Sequence, residues 1–217
     1  MEEWYHYVLL IVVGFAVGFI NTVAGGGSLL SLPILIFLGL PPSVANGTNR
    51  VAIVIQTALA TAGFKSKGVS TFPFNAYLGA SALIGAIIGA RIAVDIDGAV
   101  FNKILAVIMI VVILIIVFMP KTNLKDVQER LTGKYLWLGI IAFFFFGIYG
   151  GFINAGLGFV MILFLHFFNH MSLVRANATK VAVVFMYMLS ALAVFVLNDK
   201  VNWTIGFVLA IGNGSGA

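Results

Sequence analysis

From residue 7 to residue 49 the chain carries no Lys, Arg, Asp or Glu, and the apolar residues in that run follow no strict in-and-out alternation. That pattern predicts helices and excludes an outer-membrane barrel, whose strands alternate over about 10 residues. Reading apolar spans against their breakers predicts helices over 6–23, 28–40, 44–64, 73–94, 101–119, 135–154, 157–169, 174–197 and 203–217. Crossing a bilayer takes about 20 residues, so 28–40 and 157–169 are short. Each follows a break that contains glycines, Gly25-Gly26-Gly27 in one case and Ala155-Gly156-Leu157-Gly158 in the other. The most polar stretch, 120–134, reads as a linker between two halves, 1–119 and 135–217.

Composition turns the pattern into a class. The 217 residues are 62% hydrophobic and 9% charged, whereas soluble domains carry about 25% charged residues. Lipid is the solvent that tolerates so long an uncharged run, and the expected fold class is an all-α polytopic membrane protein. The N-terminal MEEWYHY is acidic and the apolar region simply continues behind it, so no cleavable signal peptide is expected. The absence of cysteine excludes disulfides, thiolate metal sites and cysteine nucleophiles. The formal charge of +5 lies mostly in loops, where it sets orientation rather than marking a nucleic-acid partner.

The halves share words. Gly18-Phe19-Ile20-Asn21 recurs as Gly151-Phe152-Ile153-Asn154, an offset of 133. Ala45-Asn46 and Thr48 recur as Ala176-Asn177 and Thr179, an offset of 131, so the second copy is two residues shorter at the glycine break. Two ordered matches beside a broken helix predict a tandem duplication. Lys65, Lys67, Lys121, Lys125, Arg130 and Lys134 fall on one side, while Arg91 and Lys103 on the other are offset by Asp95 and Asp97. The positive-inside rule then predicts a cytoplasmic linker. Five crossings before the linker, or three if 6–23 and 28–40 form a hairpin, are both odd; only a single crossing broken at the glycines makes the count even, and about 35 residues is long for that. The expected arrangement is therefore two homologous, inverted repeats with glycine-broken helices, the common plan of secondary transporters.

The breaks are also the first candidates for chemistry. Gly25, Gly26 and Gly27 end one apolar helix and begin another, with Ser28 placed as an N-cap. Irregular backbone at membrane depth survives only where protein or a water-filled cavity satisfies it. N–H groups freed at a helix N-terminus attract anions, and Gly156 and Gly158 stand in the corresponding place. The same glycines also suit close helix packing or a tight turn. Asn46, Thr48, Asn49 and Arg50 open the third segment, and Asn177, Thr179 and Lys180 open its partner. Gln56 lies near mid-helix, where the aligned residue is Tyr187. A cation at the centre of a membrane helix costs about 2.5–3.5 kcal/mol on insertion scales, whereas one near a helix end snorkels or caps. Arg50 and Lys180 fit either account. On the functional one, each half sends a cation to a shared midplane cavity that holds an anion, and Asn21 and Asn154 add donors.

No acidic residue lies deep in any segment, which favours an anionic over a cationic substrate. His166 and His170 are spaced i, i+4, but with no carboxylate or cysteine nearby they read as an interfacial helix end rather than a metal site. Gly85 and Gly89 form a GxxxG that predicts a close helix–helix contact. No nucleotide-binding loop and no hydrolase triad is present. No enzymatic activity, metal or cofactor is expected, and homodimer formation stays open.

GFINTVAGGGSLLSLPIL, LGLPPSVANGTNR, GASALIGAIIGARIA, and in the second half GGFINAGLGF with ANATK, resemble the TauE/SafE family of sulfite and organosulfonate exporters. The resemblance covers nearly the whole chain. It implies a bacterial-type inner-membrane anion transporter built from two homologous halves, with substrates such as sulfite or sulfoacetate. The second break departs from the family's glycine triplet. GNGSGA at 212–217 corresponds to SALIGA at 81–86, so the given chain is expected to stop inside its last membrane helix. A passive anion channel, a carrier of non-sulfur carboxylates and a non-transporting scaffold are the alternatives.

Overall fold

A computed structural model describes residues 4–118 and 128–217. The linker expected at 120–134 thus lies largely outside the described residues. Among the described residues the chain forms nine helices: α1 (Trp4–Val23), α2 (Ser28–Phe37), α3 (Pro42–Ser66), α4 (Phe74–Asp95), α5 (Gly98–Val117), α6 (Lys134–Phe152), α7 (Leu157–Phe167), α8 (Leu173–Leu197) and α9 (Trp203–Ser215). Five of them, α1, α4, α5, α6 and α8, are long and apolar enough to cross a membrane. At about 1.5 Å per residue, α2 and α7 reach roughly half the ~30 Å hydrocarbon core. Large apolar side chains face outward, among them Phe15, Ile84, Ile110, Phe145 and Ile211, a surface matched to lipid rather than to water.

Small residues bring backbones together. Gly85 lies against Phe144 and Gly89 against Ile148, while Gly147 and Gly151 lie against Ala82 and Ala86. The GxxxG of α4 therefore packs on α6, as its sequence predicts, and the two helices run parallel. On the opposite flank Gly14 meets Leu209 and Gly18 meets Asn213, so α1 and α9 are likewise parallel. Gly206 sits on Val51 and Gly214 on Leu59, giving α3 the direction of α9. Gly79 meets Met186, and the Ser190 hydroxyl donates to the Leu83 carbonyl, giving α8 the direction of α4. At the centre α3 and α8 run antiparallel, with Gly47 beside Lys200 and Arg50 beside Met188.

Helices α1, α3 and α9 thus point one way and α4, α6 and α8 the other. Because α1 and α3 share a direction, α2 must turn back, and Leu35 packs in one cluster with Leu10. The first two helices form a hairpin that enters and leaves on the face where α3 begins. Helices α6 and α7 do the same from the face where α8 begins. One local expectation fails: Ser28 is not an N-cap but the first residue of α2. The cap is Gly27, in right-handed backbone and with no side-chain bond, since the turn is closed by Asn21 instead.

Candidate functional site

The first break is built on Gly25, whose φ of +85° is open to glycine at little cost. Next to it, Gly27 N–H donates to Asn21 Oδ1 at 2.8 Å. In the second break Gly156 has φ +72° and packs on Val112 of α5, and Asn154 itself adopts φ +58°. The two breaks touch: a Cβ on Gly158 would stand 2.6 Å from Gly25 Cα, and Gly25 has the reciprocal clash. Asn154 Nδ2 reaches Ser28 Oγ across the junction at 3.4 Å.

A helix that stops inside the protein leaves carbonyls without partners and a partial negative charge at its end. The helix end at each break is capped by side chains from a helix distant in sequence. Arg50 on α3 donates through Nη1 to Gly150 O at 3.1 Å and through Nη2 to the Gly151 carbonyl, with Phe152 O at 3.4 Å. Asn46 Nδ2 adds a bond to Phe152 O at 2.7 Å, and its Oδ1 accepts from Arg50 Nη2 at 3.2 Å. From α8, Lys180 Nζ donates to Asn21 O at 2.7 Å and to Thr22 O at 3.3 Å, and Asn177 Nδ2 donates to the Thr22 carbonyl. Mid-depth side chains then hold the asparagines. Asn21 Nδ2 donates to Gln56 Oε1 at 3.1 Å, and Tyr187 Oη donates to Asn154 Oδ1 at 2.6 Å.

Between the breaks lies a cavity of about 20 Å³, room for roughly one water. Of the residues singled out from sequence, Asn21, Gly25, Gln56, Asn154, Gly158 and Lys180 line it. The expectation that Arg50 faces this space is corrected. Arg50 is 1% exposed, and its guanidinium lies 4.6 Å from the Phe195 ring centroid and is committed to the α6 carbonyls. Asn46 and Asn177 are likewise caps. Thr48 and Thr179 are ties between halves: Thr48 Oγ1 accepts from Asn202 N–H at 2.9 Å, and Thr179 Oγ1 pairs with Thr71 Oγ1 at 2.9 Å. Asn49 is buried, and its Oδ1 has no partner among the described residues. Gly26, Gly27 and Gly156 shape the turns and do not line the cavity. His166 Nδ1 pairs with the Met171 carbonyl at 2.8 Å at the end of α7.

Sequence reading missed Ile53, Thr57, Val181 and Val184, which complete the lining. Their spacing was the available signal: 53, 56 and 57 share one face of α3, as 180, 181 and 184 do of α8. The site therefore offers one N–H each from the Lys180 ammonium and the Asn21 and Asn154 amides over an apolar wall, since Gln56 Nε2 is held by Gly18 O and Thr22 Oγ1 and the Thr57 hydroxyl by Ile53 O. That donor set suits a small anion and contains no carboxylate.

The sequence profile described as Sulfite exporter TauE/SafE matches residues 10–217. This chain is a TauE/SafE family member. It is similar to a probable membrane transporter protein of Haemophilus influenzae, 31% identical over 209 residues, covering 96% of this chain and 81% of the relative. The probable membrane transporter protein YfcA of Escherichia coli K12 is 30% identical over 209 residues, covering 96% of this chain and 77% of its own length. A relative named probable membrane transporter protein in Methanocaldococcus jannaschii is 27% identical over 169 residues, 71% of this chain and 60% of that protein. No solved structure matches the chain. The chain is a multi-pass membrane protein of a transporter family.

Proposed function

We propose that this TauE/SafE protein is a secondary transporter that exports a small sulfur-containing anion such as sulfite, sulfoacetate or another organosulfonate. The anion binds between two inverted repeats, 1–119 and 135–217, joined by a cytoplasmic linker at 120–134 in a bacterial-type inner membrane. The observation that carries this reading is the cavity between the two breaks, where Lys180 and the amides of Asn21, Gln56 and Asn154 converge. Support for the inverted repeat comes from the reciprocal capping and from matched pairs. Asn21 with Gln56 and Asn154 with Tyr187 occupy aligned positions, and the aligned helices α3 and α8 run antiparallel.

Lys180 supplies the charge. Two of its three N–H groups are held by Asn21 O and Thr22 O, which leaves one for the ligand. Rocking of the halves about the Gly25–Gly158 junction enlarges the cavity and exposes it to alternate faces. A permanently open pore fits poorly, because about 20 Å³ is not a continuous water path. Counterflow in proteoliposomes tests the proposal, with sulfite, sulfoacetate, taurine, sulfate and simple carboxylates as trans substrates. Trans-acceleration by a sulfur-containing anion is expected. Equal flux with and without trans substrate would make the protein a channel, and acceleration by carboxylates alone would replace the substrate class.

A further inference from the structure

A second, larger cavity of about 390 Å³ lies at the C-terminal end of α3, between that helix, the loop leading to α4, and α8. Thr61, Phe64, Lys65, Thr71, Ala178 and Ala182 are among its walls. It stands one helical turn from the central cavity, since Thr57 and Val181 of that cavity precede Thr61 and follow Ala178 by three or four residues on their helices. The Thr61 hydroxyl is buried there with no partner among the described residues. A cation, Lys65, lies on its wall, and among the described residues no carboxylate does. Nearby Arg175, whose Nη1 reaches Ser70 O at 3.4 Å, is paired with Glu129 at 2.8 Å.

The corresponding place on the opposite face is filled. There the aligned residue of Phe64 is Phe195, fully buried with the Arg50 guanidinium over its ring. Gly47, aligned with Ala178, packs against the Lys200 carbonyl, and Val51, aligned with Ala182, packs against Gly206. Phe64 is half-buried, and the residue aligned with Arg50 in the other half is Val181, so no guanidinium clamps it.

We propose that this cavity is a waiting site for the anion on the face that bears Lys65 and Lys67. Lys65 supplies its charge, the Thr61 hydroxyl its inner hydrogen bond, and Phe64 is the side chain that moves to admit the anion to the central cavity. The assignment rests on the reading of the protein as a carrier of small anions. Because the chain has no cysteine, each introduced thiol reports alone. Thr61→Cys and Ala182→Cys are compared with their aligned counterparts Leu192→Cys and Val51→Cys. The probes are the membrane-impermeant anionic reagent 2-sulfonatoethyl methanethiosulfonate and its cationic trimethylammonium analogue, applied to each face of sealed vesicles.

From the Lys65 face, the anionic reagent should modify Thr61→Cys and Ala182→Cys at least about tenfold faster than it modifies the counterparts from the other face. Adding Lys65→Gln to either should slow the anionic reagent by about threefold or more and leave the cationic one no slower. Equal rates at all four positions would overturn the cavity, and an unchanged anionic rate in Lys65→Gln would overturn the anion site. These rates do not depend on turnover. A labelling pattern that holds where counterflow fails overturns the transport reading alone; counterflow without the pattern overturns the waiting site alone.

Discussion

The two breaks are built from similar sequence and stabilised by different cations. At the second, a guanidinium fork spreads over three successive carbonyls, Gly150 to Phe152, and is sealed beneath Phe195. At the first, an ammonium holds Asn21 O and Thr22 O and still borders the cavity. Arginine's planar fork suits a fixed array of acceptors, whereas lysine is a point charge with rotatable donors. The difference assigns unequal jobs to two residues that look alike in sequence. Arg50 is spent wholly on the end of α6, whereas Lys180 both caps α1 and borders the cavity.

Replacing the cations should separate these jobs, and it carries the largest expected effects. Arg50→Gln leaves buried α6 carbonyls without donors and should cost about 3 kcal/mol or more, read as a strongly lowered melting midpoint or lost monodisperse protein in detergent. Arg50→Lys should recover part of it. Lys180→Gln frees Asn21 O but keeps the Asn177 bond to the Thr22 carbonyl, so it should cost less, about 1 kcal/mol, and leave folded yield comparable to wild type while anion flux falls at least about tenfold. Equal loss of folded protein in both variants would erase the distinction.

Next in size come the glycines at the junction. Gly25→Ala and Gly158→Ala each drive a methyl into the opposing backbone, and overpacking of this kind costs about 1–3 kcal/mol. Gly26→Ala is the control, since its nearest neighbour would be Leu29 Cδ1 at 3.8 Å. Thermal unfolding of the three variants reads the order directly. If Gly26→Ala is as harmful as the others, the breaks do not meet as described.

Smallest is the comparison at mid-depth. Tyr187→Phe removes one hydrogen bond, to Asn154 Oδ1 at 2.6 Å, and should cost about 1 kcal/mol. Gln56→Leu removes bonds to Asn21, Thr22 and Asn213 together. It should therefore destabilise more and also lower anion affinity, because Gln56 lines the cavity. The contrast is measured as melting midpoint with and without added anion.

Much of this architecture was readable in the sequence. Glycines among apolar runs marked both breaks, and every helix end falls within three residues of the hydropathy reading. The paired words GFIN and AN-x-T pointed to the residues that surround the breaks. What could not be read was the partner of each polar side chain. Arg50 binds carbonyls 100 residues away, and a backbone acceptor leaves no mark on residue identity. The hairpin course of α1 and α2 was equally hidden, because spanning and returning both leave an odd number of crossings. Phe64 and Phe195 look alike in sequence and differ only through Arg50, whose position in the other half is a valine.

On the proposed function the anion sits between the two breaks and is held by Lys180. The most direct measurement is the melting midpoint of purified wild type and Lys180→Gln across a panel of sulfite, sulfoacetate, taurine, sulfate and simple carboxylates. A concentration-dependent rise with at least one sulfur-containing anion is expected in the wild type, and no rise in Lys180→Gln at a comparable folded yield. An equal rise in both proteins would contradict it.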